Sequence, residues 1–171
     1  MPDDLVSLRL QPMTGVVPDE RVRPAGRSDI PALARVYLES YPPDVGAGSY
    51  NEALAEIGAT FDGEFGELLP RASLVVHVEG SVVGAIFTTA RSIWDDLDGP
   101  FIIDLFVAPE FRGRGFARAL VGIAAAACAV SGAERLSLRV GEGTSPSAWR
   151  LYDDFGFARI DEPRADGTTR A

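Results

Sequence analysis

The chain has 171 residues, 46% of them hydrophobic and 24% charged, enough for one globular domain with a substantial core. A formal charge of −9 and a pI near 4.6 argue against nucleic acid as a partner, because phosphate attraction needs a basic face. All 16 basic residues are arginine, which removes Schiff-base lysine chemistry and the lysine of a Walker A loop. With one cysteine, Cys128, and one histidine, His77, neither an internal disulfide nor a Cys/His zinc constellation can form, so no metal site is expected.

Residues 1–20 are interrupted by proline and read as an N-terminal arm or accessory strand. The opening MPDDLVSLRL pairs no basic leader with an apolar stretch, and the most apolar run, residues 119–130, is too short to span a bilayer. The expectation is a cytoplasmic protein without a membrane partner. A domain is expected over residues 21–162, followed by a polar tail at 163–171.

Within that domain, ERVRPAG reads as a short strand, and Ser28 or Asp29 can cap a helix over about 29–41, with Ile30, Leu33, Val36 and Tyr37 at helical spacing. PPDVGAG breaks it, and SYNEALAEIGATF reads as a second helix. ASLVVHVEGSVVGAIFTTARS has β-branched runs on either side of Glu79-Gly80, the pattern of a tight hairpin. GPFIIDLFVAP predicts a strand buried on both faces, leading into a helix from Gly115 to Val130 whose face is formed by Leu120, Ile123, Ala127 and Val130. ERLSLRV predicts the next strand. SPSAWRLYDDFG has a serine cap, a first-turn proline, and Ala148, Leu151 and Phe155 on one side, and FARID predicts a last strand. The order β-α-α-β-β-β-α-β-α-β implies an α+β fold: a mixed, mostly antiparallel sheet between helical layers, with a central parallel β-α-β unit.

The chemical signal is the run EFRGRGFARAL at the junction of that unit. A strand that enters a helix through Arg112-Gly113-Arg114-Gly115 exposes unpaired N–H groups, and glycine lets an anion approach them closely. The helix dipole adds about half a positive charge, and arginine forks onto further oxygens, so a pyrophosphate suits the place. A dinucleotide fingerprint fits less well, because Arg118 stands where its third glycine would fall.

These residues resemble the GNAT superfamily of acyl-CoA-dependent N-acyltransferases. Arg112, Gly115 and Ala117 meet that family's signature, and LSLRV with AWRLYDDFGF resembles its second block. The resemblance spans roughly residues 21–160 and implies the GNAT fold. It also implies acetyl-CoA as acyl donor and a primary amine of a small molecule or peptide as acceptor, with attack inside a ternary complex; a homodimer is compatible with it. Phe106 and Val107 would bind the pantetheine arm through backbone, and Arg112, Gly113, Arg114, Gly115, Phe116 and Ala117 would hold the pyrophosphate. Ser145 occupies a place where the family commonly has asparagine, and Arg139 one where some relatives carry a glutamate base.

Tyr152 stands where the family's general acid stands, with core packing as the alternative. An amine must lose a proton before it attacks a thioester, and Asp104, the carboxylate within FIIDLFV, is the candidate base. Polyamine acetyltransferases, which this strand resembles, carry Glu-Asp where Ile103-Asp104 stand. Asp104 can therefore be the base itself, a binder of the acceptor's ammonium with water carrying the proton, or a structural partner of an arginine. Tyr41, Tyr50 and Trp94 are further candidates for the acceptor side, Asp95, Asp96 and Asp98 form an acidic run, and His77 and Cys128 read as structural. Two other classes stay open: a non-catalytic acyl-CoA-binding module and a nucleotide-dependent oxidoreductase.

Overall fold

A computed structural model describes residues 4–11, 18–141 and 143–160; the tail predicted at 163–171 lies outside them. The described residues form a seven-stranded sheet with four α-helices. The strands are β1 (Asp4–Arg9), β2 (Val22–Pro24), β3 (Leu74–Val78), β4 (Ser81–Thr89), β5 (Phe101–Val107), β6 (Arg135–Val140) and β7 (Ala158–Arg159). The helices are α1 (Ile30–Ser40), α2 (Tyr50–Phe61), α3 (Phe116–Val130) and α4 (Pro146–Phe155). The spatial order is β2-β3-β4-β5-β6-β1-β7, and only the β5–β6 pair is parallel. Antiparallel hairpins with one crossover through α3 are the arrangement that the order of elements implies.

Alternation along the strands sends side chains into two cores. Leu74, Val76, Ile86, Leu136 and Leu138 meet α3 and α4 residues such as Leu120, Val121, Ala124 and Leu151 on one face. On the other, Val75, Ala85, Phe87 and Phe106 meet Leu33, Val36, Tyr37, Ala53 and Ile57 of α1 and α2. The sheet is thus the middle of three layers.

Local chemistry sets the ends of the elements. Glu79 and Gly80 both have positive φ, at 50° and 82°, the conformation of the tight hairpin turn between β3 and β4. Ser49 caps α2 by accepting from the Glu52 amide at 3.2 Å. Asp29 stands at the α1 N-cap position but makes no cap bond there. Its carboxylate instead accepts from the Gly26 amide and from both terminal nitrogens of Arg23, at 2.7 to 2.8 Å, which ties β2 to the start of α1.

One expectation changes. The buried residues of α3 are Phe116, Leu120, Val121, Ala124, Ala125 and Cys128, whereas Val130 is 80% exposed. The inward face runs from Phe116, Leu120 and Val121 through small residues to Cys128, with Ile123 and Ala127 at its margin. The N-terminal segment, read as an arm or an accessory strand, carries β1, which pairs antiparallel with β6 from Asp4↔Val140 to Arg9↔Arg135 and also holds β7. Val6 enters the core through it. No described helix is long and apolar enough to cross a membrane.

Gly84 is required by close packing. A Cβ there would sit 2.8 Å from the Phe106 carbonyl oxygen and 3.1 Å from a Val107 methyl. Gly84→Ala should push β4 off β5 and cost about 1–3 kcal/mol, read as a lower urea midpoint with an unchanged slope.

Candidate active site

The site begins with one extra residue. Phe87 of β4 pairs with Asp104 and Thr88 with Ile102, so Ile103 has no opposite number and forms a bulge in β5. The parallel pairing with β6 covers only Phe101 and Ile102, the two residues before the bulge. Beyond it the strands separate, and the backbone of β5 is left with a partner on one side only.

Register assigns the open groups. Ala108 donates to the Val83 carbonyl at 2.8 Å, which makes Ala85/Phe106 and Phe87/Asp104 the mutually hydrogen-bonded pairs of the antiparallel ladder. Phe106 therefore spends its peptide groups on β4 and sends its ring into the α1/α2 core. Leu105 and Val107 turn theirs away from β4, where Tyr41 and Arg112 reach the two carbonyls and the Leu105 amide meets Asp104, so the Val107 amide is the group left toward the open side.

At the end of β5 a 3-10 turn, Pro109–Phe111, leads through Gly113 and Gly115, with φ of 75° and 83°, into α3. Gly115 is the N-cap and offers no side chain to the first turn, whose first intrahelical bond runs from Ala119 to the Gly115 carbonyl. A Cβ at either glycine would meet nothing within 4 Å. The turn is thus uncovered on its side-chain side and lines the cleft, and an uncapped helix N-terminus there suits an anion such as a pyrophosphate. Phe116 is buried beneath the turn, Ala117 lines the cleft, and Arg114 lies over the Phe111 ring at 5.1 Å.

Arg112 is placed differently from the expectation of a phosphate fork. Its Nε donates to the Val107 carbonyl at 3.0 Å and its Nη2 to the Ser40 carbonyl at 2.7 Å. The side chain fastens the end of β5 to the end of α1. Arg118 pairs with Asp154 of α4 at 2.7 Å.

These parts line one cleft of about 920 Å³, running from the α3 N-terminus along the open edge of β5 to Asp104, with α4 as its other wall. On that wall Ser145 caps α4, accepting from the Ala148 amide at 3.2 Å. Tyr152 is buried edge-on to Phe157, with ring centroids 5.6 Å apart, and reaches the cleft. Burial and the nearby Asp104 charge push its phenol up to about 12, so it stays protonated at neutral pH.

Asp104 accepts a hydrogen bond from the Tyr41 hydroxyl at 2.6 Å, and the same hydroxyl lies 3.1 Å from the Leu105 carbonyl. Burial pushes the Asp104 carboxyl up to about 6, against the lowering effect of Tyr41 and the Leu105 amide, and Glu56 adds to the rise. Among the described residues no arginine acts on it, which leaves the arginine-paired structural reading without a partner there. Arg139, on the β6 wall of the cleft, is bound to Asp95, which also accepts from the Ser92 hydroxyl at 2.9 Å. One member of the acidic run is therefore a clamp between the β4–β5 loop and β6.

A model of the Acetyltransferase (GNAT) family matches residues 30–157. The chain belongs to that family. Solved structures agree in fold. A GNAT-family structure from Novosphingobium aromaticivorans shares 22% identity at a TM-score of 0.62, with 92% of this chain and 60% of the other covered. A GCN5-related N-acetyltransferase from Sphaerobacter thermophilus shares 20% at a TM-score of 0.67, covering 92% and 48%. The ribosomal-protein-S18-alanine N-acetyltransferase from Escherichia coli shares 19% at a TM-score of 0.62, covering 82% and 78%. The chain spans only about half to three-fifths of the first two chains' length. No curated protein matches it in sequence.

Of the remaining candidates, Tyr50 hydrogen-bonds the Pro31 carbonyl at 3.4 Å outside the cleft lining, and Trp94, 57% exposed, stacks on Phe65. His77 lies on β3 beside the hairpin. Cys128 is buried in the α3 core, which pushes its thiol up to about 11. The Tyr41 contact with Asp104 joins residues 63 apart, and no local pattern announces it.

The raised Asp104 carboxyl fixes a pH dependence. Its contribution to stability is complete below the unfolded value near 4 and is lost as pH rises through about 6. Asp104→Asn should therefore melt higher than the parent at pH 8, with the gap closing toward pH 4, in paired thermal scans.

Proposed function

We propose that the chain transfers an acetyl group from acetyl-CoA to a primary amine of a small molecule or peptide by direct attack in a ternary complex. The supporting observation is the single cleft that joins an uncapped helix N-terminus and an open strand edge to a buried carboxylate lacking an arginine partner. Family membership makes acyl transfer the natural chemistry for such a cleft.

Acetyl-CoA would supply a thioester and a pyrophosphate. The amides from Gly113 to Ala117 would hold the pyrophosphate, and the Val107 amide on the unpaired edge of β5 would meet the pantetheine arm. Ser145 accepts the α4 cap bond and keeps its O–H proton, with which it would donate to the cofactor in place of an asparagine amide. Asp104, ionised above about pH 6, would take the acceptor's ammonium as counter-ion and accept its proton, directly or through water. Tyr152 would donate to the sulfur as negative charge develops. A phenol near 12 is a weaker acid than an ordinary thiol near 8.5, so its part is to hydrogen-bond the forming thiolate rather than surrender its proton permanently.

Titration calorimetry with acetyl-CoA, followed by an amine panel read by thiol release, tests the reading. Tyr152→Phe should lower kcat by about 10²-fold with acetyl-CoA affinity within about twofold of the parent. Asp104→Asn should lower turnover and remove the acidic limb centred near pH 6. Acetyl-CoA binding without thiol release from any amine identifies a non-catalytic module, and absence of binding ends the proposal.

A further inference from the structure

We infer that Tyr41 is a positioning residue for the acceptor half of the cleft: its phenol aligns the Asp104 carboxylate and keeps it able to ionise where no cation is paired with it. The inference rests on the proposed role of Asp104 as base or ammonium binder. It starts from the surroundings of that carboxylate. The titratable groups that face it are Tyr37 from α1, Tyr41 just after that helix, Glu56 from α2 and Tyr152 from α4. None is a cation, and among them only Tyr41 hydrogen-bonds it, at 2.6 Å.

The donor is fixed from several directions. The Tyr41 ring meets Tyr37 and Phe106 edge-on, with centroids 5.1 and 6.1 Å away. A Cβ on Gly46 would come within 2.6 Å of the Tyr41 Cβ, so the loop closes over the ring only because glycine stands there. The preceding carbonyl, that of Ser40, is held by Arg112 at 2.7 Å. Burial and the Asp104 charge push the Tyr41 phenol far above its usual value, so it is a donor at every working pH. A fixed hydroxyl aimed at a half-buried carboxylate stabilises the charged form. It also restricts which carboxylate oxygen is left toward the cleft.

A purely structural tyrosine would affect melting alone, whereas a positioning tyrosine moves the titration of another residue. Tyr41→Phe keeps the ring contacts and deletes the donor. The Asp104 carboxyl is followed by infrared difference titration, with Asp104→Asn as the blank, so this readout does not require turnover. In Tyr41→Phe the midpoint should move to higher pH. The rate at pH 6.5 should fall about five- to tenfold and return to within about twofold at pH 9, with acetyl-CoA affinity unchanged. Gly46→Ala, which displaces the ring with the hydroxyl present, should shift the midpoint in the same direction and decides the matter if Tyr41→Phe does not fold. An unmoved midpoint and pH profile in a folded variant overturn the inference. Normal kinetics in Asp104→Asn would instead remove the base assignment, while the infrared midpoint continues to report on Tyr41.

Discussion

The extra residue in β5 is the constraint on which the rest of the site depends. Side chains alternate along a strand, and Ile102 belongs to the α3/α4 core. Without the bulge at Ile103, Asp104 would follow it onto that face, into a cluster made mostly of alanine, leucine and valine and away from Tyr41. The bulge turns Asp104 and Phe106 toward α1 and Tyr41 instead. It also ends the β5–β6 ladder, so the same residue that aims the carboxylate opens the strand edge beside it.

The two ends of the cleft are built from different materials. At the α3 end the chemistry is carried by backbone, since glycines with positive φ leave the first-turn amides uncovered. At the Asp104 end it is carried by side chains drawn from α1, β5 and α4. Arg112 joins the two, because its guanidinium binds both the end of β5 and the residue before Tyr41. The position that carries the family signature thus holds the acceptor side in register with the helix N-terminus through backbone carbonyls.

How much of this the sequence discloses follows from the range of each interaction. The β5–α3–β6 unit, the glycine turn and the serine caps are local, and residues within a few positions of one another specify them. Asp104 is also legible, since a lone carboxylate in FIIDLFV is costly to bury without a purpose. The bulge is not, because the shift of one residue exists only relative to β4. Nor is the Tyr41 contact, which depends on α1 and β5 meeting across the sheet. The α3 face was misread because alanine carries too little hydropathy contrast to show which side packs inward. The place of β1 between β6 and β7 is a matter of sheet order, which strand composition does not encode.

Electrostatics then connects the groups that packing has assembled. An ionised Asp104 raises the phenols of Tyr41 and Tyr152 together, so one carboxylate keeps two donors protonated on opposite walls. That arrangement is unfavourable as it stands, because the negative charge is half-buried and is offset only by hydrogen bonds. A cation entering the cleft would relieve it, whereas a neutral ligand would not. The chain's excess of acidic residues works in the same sense at long range, drawing cations toward the surface. The positive end of α3 stays local because its partial charges belong to the backbone and fall off within a turn. On the proposed reading, phosphate at one end of the cleft and an amine at the other would meet across the separation of β5 from β6 in a protein that is acidic overall.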